Sequence, residues 1–186
     1  MAYASWSVTF GEQPSAAKWN ILGTNDASFN DGTGVANLTI GATTSVALSY
    51  KFSVYRNSAQ NGGSGSPALI QFDTKTYDTG SNVDVATNKG RFTVPITGYY
   101  SLSSWITLTA ASSDGYSISL YKNGSLFRQG NQGFYSGSTT TGIGVTANPA
   151  LTAGDYIEVY VRNGGGAISV GSSTVNYFEG YLLAKT

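Results

Sequence analysis

Cysteine and histidine are both absent from the 186 residues. Without cysteine there is no disulfide, no thiolate nucleophile and no zinc–cysteine site, so an extracellular life would need another source of stability, and oligomerisation is the obvious one. Without histidine the commonest general base is missing, and with it the usual serine and cysteine triads. Charge is scarce as well. Asp, Glu, Lys and Arg make up 11% of the chain and the formal net charge is zero, which gives no electrostatic claim on nucleic acid or an anionic membrane. No apolar run reaches membrane-spanning length, and residues 1–6 have neither a basic head nor the start of a signal-peptide core. The expectation is a protein that, if it works outside cells, leaves by lysis or as part of a particle. No two carboxylates are placed together by parity or spacing for glycoside hydrolysis, and no Gly-rich stretch has the strand, phosphate loop and helix setting. Neither an enzymatic activity nor a cofactor is expected.

What is present is 24 Gly and 13 Tyr, a composition that favours an all-β chain with a neutral, tyrosine-rich surface. Residues 90–120 organise it. Pro95 and Gly98 punctuate the stretch, because proline cannot donate to a central ladder and glycine supplies turn geometry, so one strand ends near Val94 and another begins at Tyr99. In that second strand Tyr100, Leu102, Ile106 and Leu108 share one parity, with Ser104 the only polar member, while Ser101, Ser103, Thr107 and Thr109 share the other. Further strands are expected at residues 51–55, 68–72, 156–162, 168–170 and 177–183. Residues 58–67 and 77–89 read as loops. Many short strands with Gly-rich turns argue a β-sandwich or jelly roll.

Parity also says where the aromatics point. Ile157, Val159 and Val161 make one face of their strand and leave Tyr156, Glu158, Tyr160 and Arg162 on the other; Trp105 lies opposite Tyr100 and Leu102; Tyr177, Glu179 and Tyr181 alternate with Phe178 and Leu182. Trp105, Tyr156, Tyr160, Tyr177 and Tyr181 are therefore read as an outward aromatic face that forms a subunit contact, since Tyr and Trp bury area while their polar tips find partners. The alternative is a solvent-facing sheet covered by tyrosine.

Phe72, followed by Asp78, then Phe92 followed by Gly98-x-Tyr100-x-Leu102, resembles the signature of C1q-like domains of the C1q and tumour necrosis factor superfamily. Leu120-Tyr121-Lys122-Asn123-Gly124, the run from Leu151 to Val159 and Phe178-Glu179-Gly180-Tyr181-Leu182-Leu183 follow in family order. The family places an aromatic where Leu102 and Ser104 stand here. The resemblance implies a jelly-roll sandwich packed as a threefold homotrimer. Some such domains bind calcium through loop oxygens, for which Asp78, Asp84, Asp114 and Asp155 are the available carboxylates; solvated turn residues are the other reading.

Residues 1–34 differ from the rest. Pro14 near a first turn and Gly23 past a last one bracket a short helix, with Trp19, Leu22 and Phe29 at helical steps as docking residues. They either pack on the chain's own β domain or dock elsewhere: residues 10–32 resemble a segment near the start of bacteriophage tail-fibre-like and minor structural proteins. Residues 35–49 read as a β neck, and residues 50–186 as the head. The combined expectation is a non-enzymatic, homotrimeric virion protein that docks to other virion proteins through its N-terminus and binds a host-surface glycan or protein by avidity. A purely structural capping or cementing protein and a bacterial adhesive or signalling module are the alternatives.

Overall fold

A computed structural model describes residues 50–62, 65–110, 115–134, 136–164 and 168–186. The expected helix with Trp19 and Leu22, the docking residue Phe29 beyond it, the neck and Asp114 lie outside the described residues. Two antiparallel sheets pack face to face as a jelly-roll sandwich, and no helix occurs among the described residues. One sheet, hereafter the β7 sheet, contains β1 (Lys51–Arg56), β2 (Gln60–Gly62), β4 (Thr74–Asp78), β7 (Gly98–Ala110), β10 (Thr139–Ala147), β11 (Ala150–Leu151), β13 (Ile168–Val170) and β14 (Ser173–Lys185). The other, the β12 sheet, contains β3 (Ala68–Leu69), β5 (Val83–Asp84), β6 (Arg91–Thr93), β8 (Gly115–Lys122), β9 (Ser125–Phe134) and β12 (Tyr156–Asn163). β7 is the hub of its sheet, flanked by β10 on one side and by β14 on the other.

The period-two pattern decides which residues form the core. Tyr100, Leu102, Ile106 and Leu108 of β7 and Phe178 and Leu182 of β14 face Ile118 and Leu120 of β8 and Ile157, Val159 and Val161 of β12, all essentially without solvent contact. Each such side chain contributes roughly 1.5–3 kcal/mol on burial, well above the 0–1 kcal/mol of an exposed ion pair, so the core and not surface charge holds the sandwich. An aromatic cluster joins the two layers. Phe52 stacks on Phe92 at 4.5 Å between ring centroids and meets Phe178 edge-on at 5.0 Å, while Phe92 lies 5.7 Å from Tyr100. The Tyr100 hydroxyl donates to the Ile96 carbonyl at 2.7 Å, which satisfies its one buried polar atom.

Ser104, the polar exception of β7, is 2% exposed and donates to the Tyr177 carbonyl at 2.7 Å. The hydroxyl is thereby satisfied in the position where the resembled family carries an aromatic.

Two stretches read as loops contain strands. Residues 77–89 include the end of β4 and all of β5, and residues 58–67 include β2. β4 is mostly exposed and is held by its ladder to β1, and β2 by its ladder to β13, so the partner supplies what their own polar sequences do not. β9 also has no apolar alternation and is fixed by β8 through the Asn123-Gly124 turn, whose φ values of 52° and 79° are those of a tight hairpin.

Candidate functional site on two outer faces

The five aromatic residues expected on one outward face are divided between two. Trp105, Tyr177 and Tyr181 stand on the outer face of the β7 sheet; Tyr156 and Tyr160 stand on the outer face of the β12 sheet, across the core. Parity within a strand separates inside from outside, but it does not say which sheet the strand joins. That correction turns one expected contact face into two surfaces with different chemistry.

On the β7 sheet the register places Tyr55, Tyr177, Trp105 and Gly144 in one row across β1, β14, β7 and β10. The indole of Trp105 lies flat over two glycines of β10. A Cβ on Gly142 would collide with Cζ2 of the ring, and one on Gly144 would come within 2.9 Å of Cε3. Glycine is needed at both positions because the ring occupies the space a side chain would take. Even so, Trp105 remains 42% exposed, with Tyr99, Tyr77, Tyr181 and Leu183 exposed to a similar degree on the same sheet. The charge here is sparse: by register Glu179 sits between Ser53 and Ser103, and Lys51 Nζ is 5.8 Å from the Tyr77 ring. Burial and the Glu179 carboxylate push the Tyr77 phenol up, so this hydroxyl stays neutral at any ordinary pH.

On the β12 sheet the tyrosines are tied down. Arg91 lies 4.1 Å above the Tyr156 ring and its Nη2 is 2.9 Å from Oε1 of Glu158, a carboxylate 3% exposed. Tyr160 stacks against Tyr121 at 4.1 Å, and its hydroxyl lies 3.4 Å from Glu158 Oε2. Burial, then the Glu158 charge, raise the Tyr160 phenol above its usual range, which keeps it a neutral donor. Arg91 and Glu158 were not singled out by sequence reasoning; their partnership spans 67 residues and leaves no local signal.

The described calcium candidates are each committed to turn amides, and two of them also to a lysine. Asp78 accepts from the amides of Asn82 and Val83 at 3.0 and 2.9 Å and pairs with Lys75 at 2.7 Å. Asp84 accepts from the amides of Ala86, Thr87 and Asn88. Asp155 accepts from the Thr152 amide and the Asn123 side chain and pairs with Lys122. Burial would raise Asp78 and Asp155, but these donors outweigh it and hold both carboxyls below the usual carboxylate range. Among the described residues no three His, Cys, Asp or Glu side chains come together as metal ligands.

Solved structures with this architecture include the globular domain of zebrafish complement 1qA, which is 17% identical at a TM-score of 0.53 and covers 74% of this chain and 99% of its own. Eiger TNF from S. frugiperda is 16% identical at a TM-score of 0.50, covering 74% and 94%, and murine APRIL is 14% identical at a TM-score of 0.51, covering 72% and 97%. No curated protein sequence matches the chain. The C1q domain family matches residues 51–183, from the first strand of the sandwich almost to the end of the last, and the chain belongs to that family.

Proposed function

We propose that this chain is a non-enzymatic binding head that works as a homotrimer, with the outer face of the β7 sheet turned toward the threefold axis. The observation that carries this reading is Trp105, a large flat ring laid on Gly142 and Gly144 in the middle of a sheet and left 42% exposed. A contiguous row of aromatics with little charge marks a protein contact rather than a free surface. A Tyr and Trp face with Glu179 and Lys51 as its few charges suits contact between identical copies, because little like charge is brought together on the axis. The non-enzymatic reading is supported by the lack of His and Cys and by the commitment of the described carboxylates to turns and ion pairs. The setting we infer is a virion, in which residues 10–32 dock to other virion proteins; its support is the resemblance of that segment to phage tail-fibre-like proteins. Three heads on one axis would then bind a host surface by avidity.

Light scattering on the full chain tests the assembly. The expected mass is three times the 19.4 kDa of one chain, falling to a single chain in Trp105→Ser with unchanged far-ultraviolet circular dichroism. A monomeric wild type, or a variant that stays trimeric, overturns it.

A further inference from the structure

The outer face of the β12 sheet has a relief that register dictates. Across β12, β8 and β9, Arg162 faces Ser117 and Ser117 faces Gln132; one step on, Tyr160 faces Ser119 and Ser119 faces Gln129. The middle strand thus carries two serines between taller side chains on both flanks, and the result is a trough floored by Ser117 and Ser119. Two adjoining cavities of about 220 and 470 Å³ fill it, sharing Ser117, Gln129 and Arg162 as lining. The smaller ends against Tyr121, stacked on Tyr160, and the larger opens beside Phe134, whose ring is 72% exposed.

The lining has a definite chemistry. Gln129 Nε2 donates to Gln132 Oε1 at 2.7 Å, so the pair holds itself in place and keeps one amide oxygen and one amino group uncommitted among the described residues. Arg162 donates through Nε to the Gly65 carbonyl at 3.3 Å, and among the described residues no carboxylate pairs with it. The acid on its own strand, Glu158, is taken by Arg91. Among the described residues the trough therefore contains a guanidinium without a carboxylate partner, beside hydroxyls, amides and aromatic rings.

We infer that this trough is a binding site for an acid-bearing glycan. Sugar hydroxyls match the serines and the glutamine pair, the apolar face of a ring matches the Tyr160 and Phe134 walls, and a sugar carboxylate matches Arg162 in the planar fork geometry that guanidinium provides. The larger cavity is on the scale of small-ligand pockets, roughly 300–1,000 Å³, and the smaller extends it. An acidic peptide fits less well. Extended peptides gain most from adding to a free strand edge, whereas β8 is hydrogen-bonded on both sides and offers side chains only. The inference deepens the binding-head reading and rests on it only in that the protein has a ligand.

The test uses the full chain on a printed array holding sialic- and uronic-acid-bearing glycans, the same glycans without the acid, and polyglutamate. Binding is expected on the acid-bearing glycans, reduced about tenfold or more in Arg162→Gln, which removes a charged hydrogen-bonding partner from an exposed position. Ser117→Tyr, which fills the floor, should reduce it comparably, and Arg128→Gln, an exposed arginine outside the trough, should not. Preference for polyglutamate, equal signals with and without the acid, no binding at all, or binding undiminished in Arg162→Gln would each overturn the site. Light scattering on the same samples separates the two readings: a monomer that binds through Arg162 refutes the trimer and keeps the trough, and a trimer that binds no acid-bearing glycan does the reverse.

Discussion

The two outer faces of the sandwich carry aromatics in similar number but hold them differently. On the β7 sheet Trp105 rests on Gly142 and Gly144, and its neighbours in the row are tyrosines, so the face is smooth and short of charge. On the β12 sheet Tyr156 lies under Arg91, Tyr160 is stacked on Tyr121, and the Arg91–Glu158 ion pair, its carboxylate buried, links the two. A smooth face without internal partners suits a copy of itself, and a relief built from tall and short side chains suits a shaped ligand. The contrast shows that aromatic content alone does not define a contact face. What lies beneath each ring does.

The largest effect on stability should come from Glu158→Ala. Removing the carboxylate leaves Arg91 unpaired and the Tyr160 hydroxyl without its acceptor. A fully buried pair broken in this way costs about 3–5 kcal/mol, but the Arg91 side chain is 31% exposed, so about 2 kcal/mol is expected, or roughly 4–8 °C in Tm, with no change in oligomeric mass. A loss of mass in this variant would mean that the two faces are not separate in role.

Gly142→Ala probes the other face. The added methyl lifts the indole from β10 while leaving the core residues Ile143 and Val145 where they are. Trimer dissociation on dilution should begin at roughly tenfold higher concentration, which for a constant that scales as concentration squared corresponds to about 2.7 kcal/mol per trimer, or about 0.9 kcal/mol per chain, with a chain Tm shifted by no more than a few degrees. If dissociation is unaffected, the seat of Trp105 is not part of the contact.

The smallest effect compares one carboxylate from each sheet. Asp78 at the end of β4 and Asp155 before β12 both have depressed folded-state pKa values, so their stabilisation is complete above the unfolded carboxylate value near 4 and is lost as pH falls through the lower folded values. Urea midpoints should therefore fall below about pH 4. Asp78, with a side chain 3% exposed against 13% for Asp155, should carry more of that fall, so Asp78→Asn should flatten the acid limb more than Asp155→Asn does. The reverse order would show that the exposed turn beside Lys122 dominates.

Much of the fold was legible because β7, β12 and β14 alternate cleanly, and their apolar parities are the buried ones. The loop readings over 58–67 and 77–89 failed where short strands borrow their order from a partner, as β2 does from β13 and β4 from β1. One wall of the trough was in view, as the parity that puts Tyr160 and Arg162 on the outward side of their strand. The floor of Ser117 and Ser119 and the Gln129–Gln132 wall were not, because the spacing that assembles them exists only across strands.

The sequence by itself determined which side of β7, β12 and β14 is dry, where the Asn123-Gly124 hairpin turns, and that neither thiol nor imidazole chemistry is available. Those are properties of a residue and its nearest neighbours. Only the tertiary structure decided that Trp105 and Tyr160 stand on opposite faces, that Gly142 and Gly144 seat the indole, and that two serines floor a trough. Each of those facts depends on pairing between strands distant in the chain, as in the bond from Ser104 to Tyr177 across 73 residues, and a period of two along one strand carries no information about which strand lies beside it.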